Sequence, residues 1–302
     1  MRGAILVTSM SAVCLALAGC SGPSPEEVAA HRAEIEVWQA DREERLRDPD
    51  GWLTLVGLYW LEPGENTIGS SAENRVVLAT EACPARAGNI VVEDGKARIV
   101  VDRNAPIEHE GERVHSMELA DDRAEEPTVL TVGSLRFYVI QRNGELAVRV
   151  RDLESPALLS FQGMEEYPID PAWRFEADFE AYDPPKKIEV PNIVGQVGEE
   201  DCPGALVFRK DGQTYRIDAL DAGDEFFLIF ADATTGEATY EGGRYMYVSK
   251  PDADGKVVLD FNKAYNPPCV FSPYATCPLP PEENRLSLAV TAGEKMFETS
   301  IH

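Results

Sequence analysis

Positive charge is scarce in this chain of 302 residues. Lysine and arginine together number 28, against 53 aspartates and glutamates, and the formal net charge is −25. A phosphate backbone requires a basic protein face, so this balance argues against nucleic acid as a partner. It also argues against docking of the protein body on anionic headgroups. The acidic residues are scattered, which indicates a highly solvated surface; binding of cations or basic partners is the alternative.

Recognisable catalytic signatures are also missing. The chain has no Gly-x-Ser-x-Gly elbow, no phosphate-binding glycine loop, no His-Glu-x-x-His and no nucleotide fingerprint. Its four histidines are His31, His109, His115 and His302, so a Ser–His or Cys–His nucleophile would need one of them brought over by the fold. A metal site at His109 and His115 is the less favoured interpretation of two loop histidines. We therefore predict no metal and no cofactor.

The one long apolar run extends from Ala4 to Ala18. It follows Arg2 and is typical of a secretory signal peptide, being too short for a membrane-spanning helix. The next residues, Gly19 and Cys20, complete a Leu-Ala-Gly-Cys ending that resembles the lipobox recognised by lipoprotein signal peptidase. The resemblance implies cleavage before Cys20 and a membrane anchor of lipid, such as palmitate, on that cysteine.

The residue after Cys20 bears on which membrane holds the protein. Ser21 stands where lipoproteins retained at the inner membrane commonly have Asp. We therefore expect an extracytoplasmic protein, with the periplasmic face of the outer membrane favoured.

A helix is predicted directly after the anchor. Ser24-Pro25-Glu26-Glu27 has Ser at the N-cap, Pro in the first turn and Glu three residues after the cap. The helix should end near Arg47, before Pro49. Its apolar stripe is thin and interrupted by many charges, so it is predicted to be a stalk that packs lightly on the body.

Beyond residue 50 the pattern favours strands and tight turns. Asp94-Gly95, Asn143-Gly144, Asp211-Gly212 and Asp254-Gly255 each lie between β-prone runs, and Asx-Gly in this setting predicts a hairpin. The last of them begins like a calcium loop at Asp252, but the further ligands do not follow, so a hairpin turn is favoured there. Four such turns, with no convincing long helix between them, predict an all-β body.

The stretch from Gly64 to Arg142 resembles a forkhead-associated β-sandwich in its spacing and strand order. The phosphothreonine-reading residues of such domains are absent: Ser70 stands where an Arg is expected, so that function is not carried over. We predict an all-β fold: one N-terminal helix, a β-sandwich-like N-terminal lobe and a second antiparallel β lobe. The predicted boundaries are 1–19 for the signal peptide, 20–48 for the lipidated Cys and helical stalk, 50–165 for the N-terminal lobe and 166–302 for the C-terminal lobe.

The most distinctive motifs lie in the C-terminal part of the chain. They are Asp232-Ala-Thr-Thr-Gly236, Gly242-Gly-Arg-Tyr245, Asp260-Phe-Asn-Lys-Ala-Tyr-Asn-Pro-Pro-Cys269, Cys277-Pro-Leu-Pro-Pro-Glu-Glu-Asn-Arg-Leu286 and Ala292-Gly-Glu-Lys295. Together they resemble the uncharacterised prokaryotic domain-of-unknown-function family 1684, strongly over about residues 218–297. The resemblance is weaker over Gly51–Leu61 and Ala147–Asp152. It implies no established activity.

These motifs carry seven polar residues that are candidate ligand-binding residues. On a strand, Asp260 and Asn262 would point to one face and Phe261 to the other, and a proline-rich turn would follow. The candidates are Arg244, Asp260, Asn262, Tyr265, Asn266, Asn284 and Arg285. A shared pocket of such donors and acceptors would suit a sugar, a carboxylate or a small metabolite. The alternative is that these residues cap turns and satisfy backbone groups around the proline-rich loop.

Two hypotheses for function follow. The first is a membrane-anchored lipoprotein without catalytic activity that binds a small molecule or an envelope protein through a C-terminal polar groove. The second is an extracytoplasmic hydrolase that uses Asp260 as general base with Arg244 or Arg285 as electrostatic stabiliser. The absence of catalytic signatures favours binding.

Four cysteines remain after the predicted processing: Cys83, Cys202, Cys269 and Cys277. Cys269 and Cys277 lie eight positions apart around a loop with prolines on both flanks. In an oxidising compartment we expect a disulfide between them. A metal site with both thiolates and a pair of free thiols are the alternatives, and the former would need further ligands.

The anchor can be tested by substitution of its cysteine. Cys20→Ser should block lipidation because serine lacks the sulfur to which diacylglycerol is attached, and the protein should be released or remain unprocessed. Radiolabelled palmitate is the measurement, and label that still enters the Cys20→Ser protein would contradict the prediction.

Overall fold

The computed structural model describes residues 23–297. The predicted signal peptide, Cys20 and His302 lie outside the described residues. Within them, no helix is both long enough and apolar enough to cross a membrane.

Helix α1 (Pro25–Arg47) begins as the sequence predicts. The Ser24 amide donates to the Glu27 carboxylate at 2.7 Å, and the Glu27 amide donates to Ser24 Oγ at 3.3 Å. This capping box satisfies amides that have no partner inside the helix. The helix ends before Asp48, since a residue that precedes proline is disfavoured in the α region. A second, short helix, α2, spans Pro156–Ser160.

The strands of the described residues fall into two lobes. The N-terminal lobe contains β1 (Leu55–Trp60), β2 (Gly64–Gly69), β3 (Val76–Val77), β4 (Gly88–Glu93), β5 (Lys96–Val101), β6 (Glu108–His109), β7 (Glu112–Arg113), β8 (Ser116–Leu119), β9 (Leu130–Val132), β10 (Leu135–Arg142) and β11 (Glu145–Asp152). The C-terminal lobe contains β12 (Arg174–Pro191), β13 (Val197–Lys210), β14 (Gln213–Ala222), β15 (Glu225–Phe230), β16 (Arg244–Ser249) and β17 (Lys256–Asp260).

Two sheets form the N-terminal lobe, with strand orders β1-β11-β10-β9-β6-β7 and β3-β2-β4-β5-β8. Every second residue of a strand faces the opposite sheet. Ile90 and Ile99 of one sheet meet Phe137 and Val148 of the other in a single buried cluster. Sheets packed face to face in this way are a β-sandwich, which confirms the predicted architecture of this lobe.

One six-stranded antiparallel sheet forms the C-terminal lobe, in the order β16-β15-β14-β13-β12-β17. Its core is assembled around Phe261, which directly follows β17 and is fully buried. The Phe261 ring packs against the rings of Trp173, Phe175, Phe208 and Phe230. The all-β fold with a second antiparallel lobe is therefore confirmed. The exact boundary at residue 165 stays a prediction.

Three of the four Asx-Gly turns form the hairpins that the sequence predicts. Asp94, Asn143 and Asp211 have φ angles of 50°, 48° and 52°, the positive values that this turn requires. The prediction for Asp254-Gly255 is wrong. The strand that follows it, β17, pairs with β12 instead of returning along β16, and the Asp252 carboxylate shapes the turn by accepting from the amides of residues 254 and 256.

Helix α1 packs far more firmly than the predicted stalk. Ile35 and Leu46 are fully buried, and two polar side chains bind the C-terminal lobe. His31 Nε2 lies 2.7 Å from Asp260 Oδ2, and Arg42 Nε donates to Glu294 Oε1 at 3.1 Å. The prediction failed because it counted only apolar residues, whereas much of this docking is polar.

Removal of Arg42 should strongly destabilise the protein. Glu294 is completely buried; burial raises its pKa, and Arg42 opposes that rise. Arg42→Met would leave the carboxylate buried without a cation, which costs about 3–5 kcal/mol. Denaturant unfolding is the measurement, with Arg32→Met, an exposed position of the same helix, as the control that should change stability by less than about 0.5 kcal/mol.

The loss caused by Arg42→Met should depend on pH. A folded-state pKa raised above the unfolded value means that the folded state binds more protons between the two, so stability falls as pH rises through that window. In the variant the pKa of Glu294 rises further. The difference from the parent protein should therefore be largest above neutrality and shrink as pH approaches about 4.5, the ordinary value for glutamate. A pH-independent difference would contradict this account.

Candidate functional site

The seven predicted ligand-binding residues do not all face solvent. Arg244, Asp260, Asn262, Asn266 and Asn284 are buried. Tyr265 is half-buried and Arg285 is exposed, with Arg285 Nε 3.5 Å from its neighbour Glu282.

Arg244 lies in the core of the C-terminal lobe. Its guanidinium donates to Asp232 Oδ2 at 2.8 Å, to the carbonyl of Val290 at 2.9 Å and to that of Ala292 at 2.5 Å. Asp232 follows β15, and Val290 and Ala292 lie in the C-terminal segment of the chain. The side chain therefore ties this segment to the sheet.

The three asparagines bind backbone groups. Asn284 Nδ2 donates to the carbonyls of Asp218 and Ile229, both at 2.9 Å. Asn262 exchanges hydrogen bonds with the backbone of Asp170 at 3.0 Å. Asn266 Nδ2 donates to a carbonyl of the C-terminal segment at 2.7 Å. These contacts are of the turn-capping kind that the alternative interpretation describes.

Asp260 has four donors around its carboxylate. Oδ1 accepts from the Asn262 amide at 3.1 Å and from Asn262 Nδ2 at 2.8 Å. Oδ2 accepts from Arg174 at 3.2 Å and lies 2.7 Å from His31 Nε2. The expected strand ends at Asp260, and a 3₁₀ turn (Phe261–Lys263) follows. The basic residue that pairs with Asp260 is thus Arg174, with His31 at hydrogen-bond distance; Arg244 and Arg285 pair with other acids.

Two of the seven candidates, Asp260 and Tyr265, line a cavity of about 770 Å³ between helix α1 and strands β15–β17. We call it the α1 cavity. It is lined by aromatic residues (Trp38, Trp52, Phe227, Tyr245, Tyr247, Tyr265), basic residues (Arg42, Arg45, Arg174, Lys263), acidic residues (Glu34, Glu225, Asp260) and the smaller or apolar Met246, Val248, Ser249, Val258 and Pro268.

Aromatic rings form a continuous wall of the α1 cavity. Phe227 and Tyr247 are directly opposite on β15 and β16 and stack with ring centroids 4.7 Å apart. Tyr245 meets Phe227 at 5.0 Å and Tyr265 at 5.9 Å, and Trp38 of α1 extends the row at 6.3 Å. Such a surface suits a flat, apolar ligand.

The charge around the α1 cavity differs from that of the whole chain. Four basic side chains face three acidic ones there, in a protein with a net charge of −25. Arg174 and Lys263 both pair with Glu34, at 3.2 and 2.7 Å. Arg45 is exposed and makes no ion pair with any residue of 23–297. The cavity therefore offers at least one cation that no carboxylate among residues 23–297 neutralises.

The sequence indicated only part of this cavity. Helix α1 contributes Trp38, Arg42 and Arg45, which are far along the chain from the C-terminal motifs that begin at Asp232, and no local pattern links the two. The alternation of Tyr245 and Tyr247 on a half-exposed strand was a usable signal, because it places both rings on one face.

The two loop cysteines are adjacent thiols. The Cys269 amide donates to Cys277 Sγ at 3.0 Å, and both residues are present as free cysteines. The hydrogen bond with Cys277 lowers the pKa of the Cys269 thiol, and burial raises that of Cys277. Within residues 23–297, no group of three His, Cys, Asp or Glu side chains is placed to hold a metal ion.

The predicted disulfide between Cys269 and Cys277 can be tested by peptide mapping. In protein isolated from an oxidising compartment, a non-reduced digest should contain the two cysteines in one cross-linked species. The closed loop is short, so the bond should contribute somewhat less than the ~3 kcal/mol estimated for fifteen residues. Alkylation of both cysteines without prior reduction would contradict the disulfide, and bound zinc would favour the metal alternative.

Two solved structures are similar to parts of this chain. An uncharacterized protein of Haloarcula marismortui, solved by NMR, is 34% identical over 47% of this chain and 80% of its own, with a TM-score of 0.39. A structure from work on phosphothreonine-dependent FHA domain interactions is 20% identical over 32% of this chain and 96% of its own, with a TM-score of 0.22. No curated protein matches.

The C-terminal motifs have a direct counterpart in a family model. The model described as protein of unknown function DUF1684 matches residues 159–295, the part of the chain that contains the C-terminal sheet and the Asp260 and Tyr265 side of the α1 cavity. Over residues 159–295 this chain therefore belongs to the DUF1684 family of proteins of unknown function.

Proposed function

We propose that this protein is a lipid-anchored extracytoplasmic binding protein and that its ligand is a small, flat organic anion held in the α1 cavity. The observation that carries the proposal is the combination of an aromatic wall with a local excess of basic residues in one cavity of about 770 Å³. That size is in the range of small-molecule sites, about 300–1,000 Å³.

Stacking would supply much of the binding free energy. Tyr247 is 48% exposed, so a ligand stacked on its ring would remove apolar surface from water. The pKa of the neighbouring Tyr265 hydroxyl is raised by burial, so this group stays protonated and remains a hydrogen-bond donor.

Electrostatics would select the sign of the ligand's charge. Arg45 is exposed and lines the cavity without a carboxylate partner in the described residues, and an anionic ligand would supply one. A guanidinium binds a carboxylate through two parallel hydrogen bonds. Lipid on Cys20 would hold the site at a membrane surface, with the periplasmic face of the outer membrane as the proposed location.

Titration with a matched pair of ligands tests this function. Naphthalene-2-carboxylate and its neutral amide have the same ring system and differ in charge. Trp38 and Trp52 line the cavity, so their fluorescence should report binding. We expect the acid to bind at least about tenfold more tightly, which corresponds to about 1.4 kcal/mol.

Two variants identify the site. Tyr247→Ala should weaken binding of both compounds, because it removes the stacking surface, and Arg45→Met should weaken binding of the acid alone. The controls are Tyr274→Ala, a 37% exposed tyrosine outside the cavity lining, and Arg32→Met. Equal affinity for acid and amide, or unchanged binding in both cavity variants, would contradict the proposal.

A further inference from the structure

Two arginines of the N-terminal lobe are buried on the side of their sheet away from the sandwich core. Arg149 and Arg151 lie on β11, where Val148 and Val150 point into that core. Because side chains alternate along a strand, the two guanidiniums share the opposite face. Arg149 is 5% exposed and Arg151 is 3% exposed.

Neither guanidinium has an acidic partner. Among residues 23–297, no carboxylate lies within 4.0 Å of Arg149 or Arg151. The adjacent strand β10 shows the usual arrangement: its less buried Arg136 and Arg142 pair with Asp50 at 3.2 Å and Asp122 at 2.7 Å. In a chain with 53 acidic residues, two buried arginines without one are anomalous, since an unpaired buried charge is costly.

The polar contacts of Arg151 account for its position but leave its charge uncompensated. It donates to the Gly51 carbonyl at 2.5 Å, to Thr54 Oγ1 at 3.1 Å and to Tyr138 Oη at 3.3 Å. All three acceptors are neutral. Arg151 thereby holds the turn that carries Trp52.

Arg149 has fewer contacts still. Its Nε is buried and has no hydrogen-bond partner in the described part of the chain. Burial lowers the pKa of this guanidinium; the neighbouring Tyr138 hydroxyl opposes that shift, whereas Arg142 and Arg151 add to it. The ring of Trp52 lies 5.3 Å from Arg149 Cζ and 5.5 Å from Arg151 Cζ, an attraction of the cation–π type that supplies no opposite charge.

Trp52 lies between this pair of arginines and the α1 cavity. Its half-buried ring lies beside both guanidiniums and also lines the α1 cavity. The Trp52 ring would therefore separate a solute in the cavity from the two arginines.

We propose that Arg149, Arg151 and Trp52 form a second binding site, for an oxyanion of the carboxylate or phosphate type. This site does not depend on the proposed ligand of the α1 cavity. The planar forks of two guanidiniums match the paired oxygens of such an anion. The bound anion supplies the negative charge that no carboxylate of residues 23–297 provides.

Small anions at constant ionic strength test the site directly. The thermal midpoint of the purified protein is measured in sodium chloride with increasing inorganic phosphate or acetate. At least one oxyanion should raise the midpoint along a saturating curve, by about 5 °C at a hundredfold excess over its Kd. A response to phosphate alone assigns a phosphate-type ligand, and a response to acetate alone assigns a carboxylate. No saturable response to either anion overturns the proposal.

Substitution of Arg149 identifies the location. Arg149→Met should abolish the saturable response, and in chloride alone its midpoint should equal or exceed that of the parent protein, because an unpaired buried charge is removed. Arg149→Lys keeps the charge but loses the planar fork, so it should bind about tenfold more weakly. Arg98→Met on the other sheet, where Arg98 pairs with Glu118 at 3.4 Å, should respond like the parent protein. Unchanged binding in both Arg149 variants would overturn the assignment, whatever ligand the α1 cavity takes.

Discussion

The buried ion pair between Arg42 and Glu294 is the contact on which the arrangement of this protein depends. Glu294 is completely buried and accepts from Arg42 and from the Asn266 amide, at 3.1 and 2.6 Å. Arg42 in turn donates to the Asn266 carbonyl at 3.0 Å. One helix side chain thus organises the proline-rich loop and the C-terminal segment together. A buried pair of this kind need not add net stability, but loss of either member strongly destabilises the folded state. The pair therefore specifies one docked position of helix α1.

That docked position creates the α1 cavity. Strands β15 and β16 present a half-exposed aromatic face, and without the helix this face would be an open apolar surface of the kind that usually marks a binding region. Helix α1 supplies the facing wall, with Trp38 against Tyr265 and Arg45 among its lining residues. The same helix would begin a few residues after the proposed lipid anchor, so the element next to that anchor also completes the candidate site.

Buried charge is used in two different ways in the two lobes. At the C-terminal lobe the buried cations have acids: Arg244 pairs with Asp232 at 2.8 Å, and Arg42 of helix α1 pairs with Glu294. In the N-terminal lobe Arg149 and Arg151 have none among residues 23–297. Since the chain carries nearly twice as many acidic as basic residues, this contrast does not reflect a shortage of carboxylates. The contrast is consistent with the proposal that a bound anion balances the charge of Arg149 and Arg151.

Local patterns in the sequence determined the all-β class, the capping box of α1, three of the four Asx-Gly hairpins and the family to which residues 159–295 belong. Each depends on residues a few positions apart, whose turn geometry, hydrogen bonds or spacing are set within the segment. The tertiary structure alone decided that Arg244, Asn262, Asn266 and Asn284 are structural and that Asp260 meets His31. These outcomes depend on contacts across 229 positions for His31 with Asp260 and 252 positions for Arg42 with Glu294. A side chain's exposure and partners follow from which surfaces meet, and no local periodicity specifies that.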